Sequence, residues 1–493
     1  MKFLTKLEKN IEVWFLLIIS FVFFLLRLPS LFEPLWYGDE GIYEVIGIGL
    51  NHGRLLYRDI WDNKPPLLYV LYAIVQSDQP VIRFVSLLFG LASVILFYFL
   101  VKKLFLKSRT LYVSTSIFTF LLAIPLLEGN IANAENFIMP LILGSGLLII
   151  NLQKNHTKNG NFFILFCSGL LLGLAFLFKV VAIFDLAAFT LFLIVQIKTI
   201  NIKQMKIIFF ELIPLYVGVI IPVLITLLFF ALHHALPDFI HSAFLSNVGY
   251  VSYGNQFHIL GVQIPQGLLL LKLIILGLFC AVLFTKRAKI SPTTQFILLW
   301  LAFSIFSALF SQRPYTHYLL VLLTSSCLCI GILLQKTKSQ FLSIGIFFLM
   351  AMYFLTNFSF YNKNIGYYRN FLAFVTNNED TTTYRAFFDG STPRDYALAD
   401  FLKTKLQSND QVFLWGNNAQ LYALVNKLPA GKYIVAYWIN SSRQTIMETQ
   451  MALHKQNPRF IIIMPNAGPI PYSLKGYSQR LIINYAVIYE KSL

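Results

Sequence analysis

Long apolar runs recur between Ile11 and Phe358, and no other feature restricts the fold of this chain so strongly. A helix crossing a hydrocarbon core of about 30 Å needs roughly 20 apolar residues, because each residue advances it by only about 1.5 Å. Such runs lie near 11–28, 80–101, 109–127, 135–152, 161–178, 180–197, 207–232, 264–285, 294–311, 317–334 and 341–358. The pair 161–178 and 180–197 is too long for one span, and Lys179 marks the break. The expected fold class is therefore a polytopic α-helical membrane protein with 11 transmembrane helices. A charged fraction of only 12% with 48 Phe agrees, since a soluble domain carries about twice that charge.

Basic residues set the expected orientation. Starting from Lys2, Lys6 and Lys9, alternate connections carry the clusters Lys102–Arg109, Lys154 with Lys158, Lys198–Lys206, Lys286–Lys289, and Lys336 with Lys338. The opposite connections near 128–134 and 233–262 carry none. This places the N-terminus in the cytoplasm of a multi-pass plasma-membrane protein and the polar C-terminal tail outside. The net charge of +17 then reports topology, not nucleic-acid binding. The first span ends in Arg27-Leu28-Pro29 with no small-residue cleavage pattern, so it reads as a retained anchor. All four cysteines lie inside apolar runs and read as packing residues.

Two regions follow. Residues 1–358 form the membrane domain, with a large outside loop at 29–79 and a second at 233–262. Residues 359–493 alternate helix and strand patterns, as expected of a small extracytoplasmic α/β domain. Its strands are expected at Val412–Trp415, Tyr433–Trp438, Phe460–Met464 and Ile482–Tyr489, and its helices at Asp395–Gln407, Ala419–Asn426 and Arg443–Gln456. In the first loop, Asp39–His52 reads as a helix lying on the membrane surface, and Leu67–Gln76 as a second, non-spanning helix after Pro65-Pro66.

The first loop, with Glu33 just before it, concentrates carboxylates: Asp39, Glu40, Glu44, Asp59 and Asp62. Asp39 and Glu40 suit a helix N-terminus, where acidic groups complement the dipole, so capping explains them as well as chemistry does. Other ionisable groups gather near the same membrane face: Lys64, Arg83, Glu135, Lys179, Arg313 and His317. Charges at such depth usually face a cavity or a partner, although Arg83 could also snorkel to the interface. The segment "SQRPYTHYLL" adds Tyr315 and Tyr318 beside Arg313 and His317. Arg313 suits a phosphate, being always charged and able to bond two oxygens. No second ligand stands at metal spacing from His317, so no metal site is expected there.

Taken together, Arg-Leu-Pro after span one, "GDEGIY", "DNKPPLLY", "RPYTHY" and an outside α/β tail resemble the GT-C membrane glycosyltransferases. The likeness is to the family 39-like group, the bacterial relatives of protein O-mannosyltransferases and of the lipid A aminoarabinose transferase. It implies an enzyme moving a sugar from a polyprenyl-phosphate donor to a protein, lipid or glycan acceptor outside the membrane. It also implies that Asp39, with Glu40, is catalytic and that Lys64 meets the donor phosphate, with Arg313, Lys179 and Arg83 as further cations. Asp62, Glu135, Tyr315, His317 and Tyr318 are candidates for the acceptor or sugar pocket. The aminoarabinose transferases tend to have Glu before Lys-Pro, whereas this chain has Asn63, with Asp62 one position earlier. Direct displacement by a hydroxyl with Asp39 as base would invert the anomeric carbon. Asp39, Glu40 and Glu135 could hold a divalent cation, but lysine and arginine suffice for the phosphate, so no cofactor is required. The alternative class is a transporter or flippase of a lipid-linked or anionic substrate, which should show charges in mid-span and broken helices in two matching halves.

Overall fold

The computed structural model describes residues 11–152, 158–197, 202–259, 262–264, 266–335, 352–465 and 467–492. Lys2, Lys6, Lys9, Lys154, Lys198, Lys336 and Lys338, used above for orientation, lie outside the described residues, as does most of the expected span 341–358. The chain divides into two compact units. One comprises Met1–Leu28, Val85–Phe229 and Asn247–Asn364; the other comprises Pro29–Phe84, Phe230–Ser246 and Ile365–Leu493.

The first unit is built from the apolar helices. Among the described residues of the chain, six helices are long and apolar enough to cross a membrane: Ile11–Leu31, Gln79–Leu104, Gly160–Phe178, Phe209–Leu232, Gly267–Lys289 and Thr316–Leu334. Shorter apolar helices stand at Ser108–Ala123, Ala134–Ile150, Val180–Val195 and Pro292–Ala308, where four further spans were expected. The expected count of eleven full-length spans is thus not confirmed among the described residues. The 3-10 turns Pro125–Leu127 and Val180–Ala182 shorten their neighbours, and the break at Lys179 falls where its charge suggested. Helices Lys158–Phe178 and Ile202–Leu232 pack backbone to backbone. A methyl group on Gly169 or Gly218 would collide with the carbonyl of Leu215 or Phe166, and one on Gly173 with Val219 and Pro222. Small residues four apart allow this approach where lipid offers no hydrophobic drive between helices.

The second unit gathers the first loop, Phe230–Ser246 and the tail. Its sheet comes from the tail. Two short strands, β1 Phe257–Ile259 and β2 Val262–Ile264, form a separate hairpin in the first unit. The tail strands are β3 Val412–Trp415, β4 Phe460–Ile463, β5 Tyr477–Ile483 and β6 Ala486–Lys491, in the order β3-β4-β6-β5. Only the β3–β4 pair is parallel. The single last strand expected at Ile482–Tyr489 is instead a hairpin. Asn484 and Tyr485 both take positive φ (44° and 68°), as the mirror-image two-residue turn requires. The strand expected at Tyr433–Trp438 is also corrected: Ala436–Ile439 is a single helical turn. The Ala436 N–H donates to the Gly416 carbonyl and the Tyr437 N–H to Asn417 Oδ1, which takes both away from any ladder.

The first-loop helix spans Gly38–Asn51 and is buried from Glu40 through Gly49, so it does not lie on a surface as expected. Gly41 abuts the backbone of Gln420, and Gly47 abuts Tyr72 and Ala73 of the second loop helix, Leu67–Ile74. Side chains at these positions would push the three segments apart. Trp61 completes the join: it packs in the tail's core with Phe413, Trp415, Tyr433 and Ile461, and its backbone N–H donates to the Lys432 carbonyl at 2.9 Å.

Candidate active site

Asp39 is the second residue of helix Gly38–Asn51, so its carboxylate sits where unsatisfied N–H groups and the dipole favour negative charge. Its Oδ2 accepts from Tyr43 Oη at 2.9 Å and from Lys64 Nζ at 3.3 Å. Lys64 Nζ also lies 4.7 Å from the centre of the Tyr43 ring and 3.9 Å from Asp62 Oδ2. The exposures differ in a useful way: 37% for the Asp39 side chain, 24% for Lys64 and 2% for Asp62. Asp39 and Lys64 can meet a ligand, whereas Asp62 is enclosed.

The lysine is fixed by its backbone. Tyr57 Oη donates to the Lys64 carbonyl at 2.7 Å, and the Lys64 N–H donates to Tyr69 Oη at 3.2 Å. Tyr69 Oη in turn donates to Asp62 Oδ2 at 2.7 Å. Burial pushes the Asp62 carboxyl above its ordinary value, with Lys64 and the Tyr69 hydrogen bond opposing. Burial, reinforced by Asp62, also lifts Tyr69 well above the phenol range, which keeps its donor proton in place. Tyr57 holds φ at 71°, a left-handed geometry that a bulky residue adopts only when its surroundings force it. Pro65 and Pro66 then start helix Leu67–Ile74 directly after the lysine.

Glu40 and Arg83 are engaged with each other. Arg83 has no exposed surface; it lies between Glu33, 2.8 Å from Nη1, and Glu40, 3.2 Å from Nε. Tyr367 Oη donates to the second Glu33 oxygen. This closed ion cluster ties the start of the loop to the base of helix Gln79–Leu104 and to the tail. Both side chains are fully buried in this cluster, unlike those of Asp39 and Lys64.

The remaining candidates belong to the first unit. Glu128, in left-handed geometry at φ 57°, accepts from Thr316 Oγ1 at 2.6 Å and lies 2.9 Å from His317 Nδ1. His317 Nε2 is 3.9 Å from Glu135, which is ion-paired with Lys179. Lys179 Nζ lies 4.4 Å from the centre of the Tyr318 ring, and Tyr315 stacks on His317 with ring centres 5.7 Å apart. Arg313 lies 4.8 Å from the centres of both Tyr250 and Tyr253 and has no carboxylate partner among the described residues. Among the described residues no group of three His, Cys, Asp or Glu has the arrangement of a metal site.

Residues 64–226 match the family model of dolichyl-phosphate-mannose-protein mannosyltransferases. Over 97% of both chains, the fold matches the crystal structure of ArnT from Cupriavidus metallidurans bound to undecaprenyl phosphate, with a TM-score of 0.58 and 13% identity. The chain is thus similar over residues 64–226 to that mannosyltransferase family, and it shares the fold of ArnT. An archaeal oligosaccharyltransferase, AglB from Archaeoglobus fulgidus in complex with an inhibitory peptide and a dolichol-phosphate, aligns over 93% of this chain and 70% of its own, with a TM-score of 0.49 and 11% identity. No curated protein matches. The GT-C likeness read from "GDEGIY" and "DNKPPLLY" therefore holds, and the matched family region opens at Lys64 itself.

Sequence reasoning missed the tyrosines that support Asp39 and Lys64. Tyr69 closes "DNKPPLLY", but nothing in the motif tells that it bonds back to the Lys64 N–H. The bond from Glu128 to His317 joins positions 189 apart, a pairing that one sequence cannot display.

Proposed function

We propose that this chain is a GT-C glycosyltransferase that moves a sugar from a polyprenyl-phosphate donor to an acceptor hydroxyl on the extracytoplasmic side of the plasma membrane. One observation carries the reading: a partly exposed carboxylate, Asp39, paired with a partly exposed lysine, Lys64, whose backbone is pinned from both sides. The ArnT structure, bound to undecaprenyl phosphate, supports a lipid-phosphate donor by likeness.

The chemistry needs three things from the protein. The lipid phosphate must be neutralised as it leaves, and because it departs already anionic, fixed positive charge serves better than a proton donor. Lys64 supplies that charge. The acceptor hydroxyl must lose a proton as it attacks, and a placed carboxylate accelerates this by about 10²–10⁴-fold. Asp39 accepts it. The two roles are linked: a phosphate drawing Lys64 toward itself leaves Asp39 free to accept the acceptor's proton, so the resting ion pair guards the base until the donor is bound. Tyr43, which donates to Asp39 and carries Lys64 over its ring, keeps both groups in reach during the exchange.

Attack from the face opposite the phosphate inverts the anomeric carbon. Purified protein supplied with a panel of polyprenyl-phosphate sugars should release polyprenyl phosphate and give a product of inverted configuration by NMR. Retention would refute direct displacement with Asp39 as base.

A further inference from the structure

The second unit also holds a polar concavity of about 330 Å³. Arg54 and Arg58, just past the C-terminal end of helix Gly38–Asn51, form one wall, and Lys432, Tyr433, Glu448 and Gln456 of the tail form the other. At about 1.5 Å per residue, the helix separates this place from Asp39 by roughly 20 Å.

Its charges are unevenly matched. Arg58 Nε pairs with Asp59 at 2.9 Å, and Lys432 Nζ with Glu448 at 3.3 Å. Arg54 instead donates to two carbonyls, those of Gly431 at 3.0 Å and Pro429 at 3.2 Å, and forms no ion pair with a carboxylate among the described residues. Burial pulls its pKa below the ordinary arginine value, with Asp59 only partly opposing. An incoming anion would relieve that cost. Gln456 also lines the concavity, and its Oε1 is buried with no hydrogen-bond donor among the described residues, an acceptor that a guest could satisfy. Asp59, already accepting from Arg58, and Glu448, already accepting from Tyr433 and Gln444, keep further lone pairs that a hydroxyl could fill. A bare anion would satisfy Arg54 and meet repulsion from these carboxylates. A neutral polyol would satisfy the acceptors and leave the arginine uncompensated.

We propose that this concavity binds an anionic saccharide, with its acid group on Arg54 and its hydroxyls on Gln456, Glu448 and Asp59. The site goes beyond the transfer reaction and needs neither Asp39 nor Lys64.

The test uses the full-length protein in detergent, with saturation-transfer NMR and calorimetry. Three probes are compared: a glucuronate-containing disaccharide, its uncharged glucose counterpart, and inorganic phosphate. The acidic disaccharide should bind below about 10 mM, more weakly as salt rises. Arg54→Gln and Gln456→Leu should each weaken it by about tenfold, the size expected for losing one hydrogen bond to a charged or buried partner. Asp39→Asn should leave it unchanged. Because Arg54 also holds two backbone carbonyls, Gln456→Leu and the salt dependence stand as evidence if Arg54→Gln fails to fold. Absence of binding by the acidic probe, equal binding of the uncharged probe or of phosphate, or loss of binding in Asp39→Asn would each overturn the proposal.

Discussion

Arg83 and Glu44 show how differently the second unit treats its buried charges. Arg83 is closed between Glu33 and Glu40, and removing one partner of such a cluster leaves charge uncompensated, at a typical cost of about 3–5 kcal/mol. Glu40→Gln should therefore lower the thermal midpoint of the purified protein by several degrees while Asp39 keeps its place; an unchanged midpoint would show that the cluster is not structural. Glu44 is buried with one oxygen unpartnered among the described residues, and burial raises its pKa well above 4.5, helped by the nearby Glu40 and opposed by Arg83. A carboxyl raised in the folded state stabilises fully below its unfolded value, and that contribution is lost as pH rises through the folded value. Glu44→Gln, which cannot ionise, should thus gain in melting temperature over the wild type as pH rises from about 4.5 to 8. Parallel curves would contradict the assignment.

At the scale of elements, close backbone approach decides what can change. Helices Lys158–Phe178 and Ile202–Leu232 meet through Gly169, Gly173 and Gly218, where no side chain fits. Gly169→Leu should abolish folded, monodisperse protein in detergent chromatography, whereas Gly277→Leu, with open space around it, should not. In the first unit Lys272 donates to Asn255 Oδ1, the Leu309 carbonyl and Gln312 Oε1 at 2.6–2.8 Å, clasping the segment that carries Arg313. Lys272→Met leaves three acceptors unfilled at about 1–3 kcal/mol each when buried, so the variant should melt clearly earlier than the wild type.

The whole molecule adds what neither residues nor elements display alone: the first loop and the tail share one core. Trp61, at 8% exposure, is built into the tail's aromatic cluster, so Trp61→Ala should cost about 3–5 kcal/mol and make residues 365–493 sensitive to protease. The membrane class, the break at Lys179, helix Gly38–Asn51 and strands β3 and β4 were all legible, because each rests on local periodicity, turn residues or the length a bilayer imposes. The burial of the loop helix was not legible, since its Gly41 and Gly47 contacts are made with residues distant in the chain. The last hairpin was hidden because its turn uses Asn484-Tyr485 in place of an Asn-Gly pair. In the site, the motif marked Asp39 and Lys64, but the tyrosines that hold them and the enclosure of Arg83 depend on packing. The central claim is that Asp39 takes the acceptor's proton. Its most direct test is the turnover of polyprenyl-phosphate sugar by Asp39→Asn in purified, correctly folded protein. The rate should fall by about 10²–10⁴-fold, with donor binding retained through Lys64. Turnover at the wild-type rate would contradict the account.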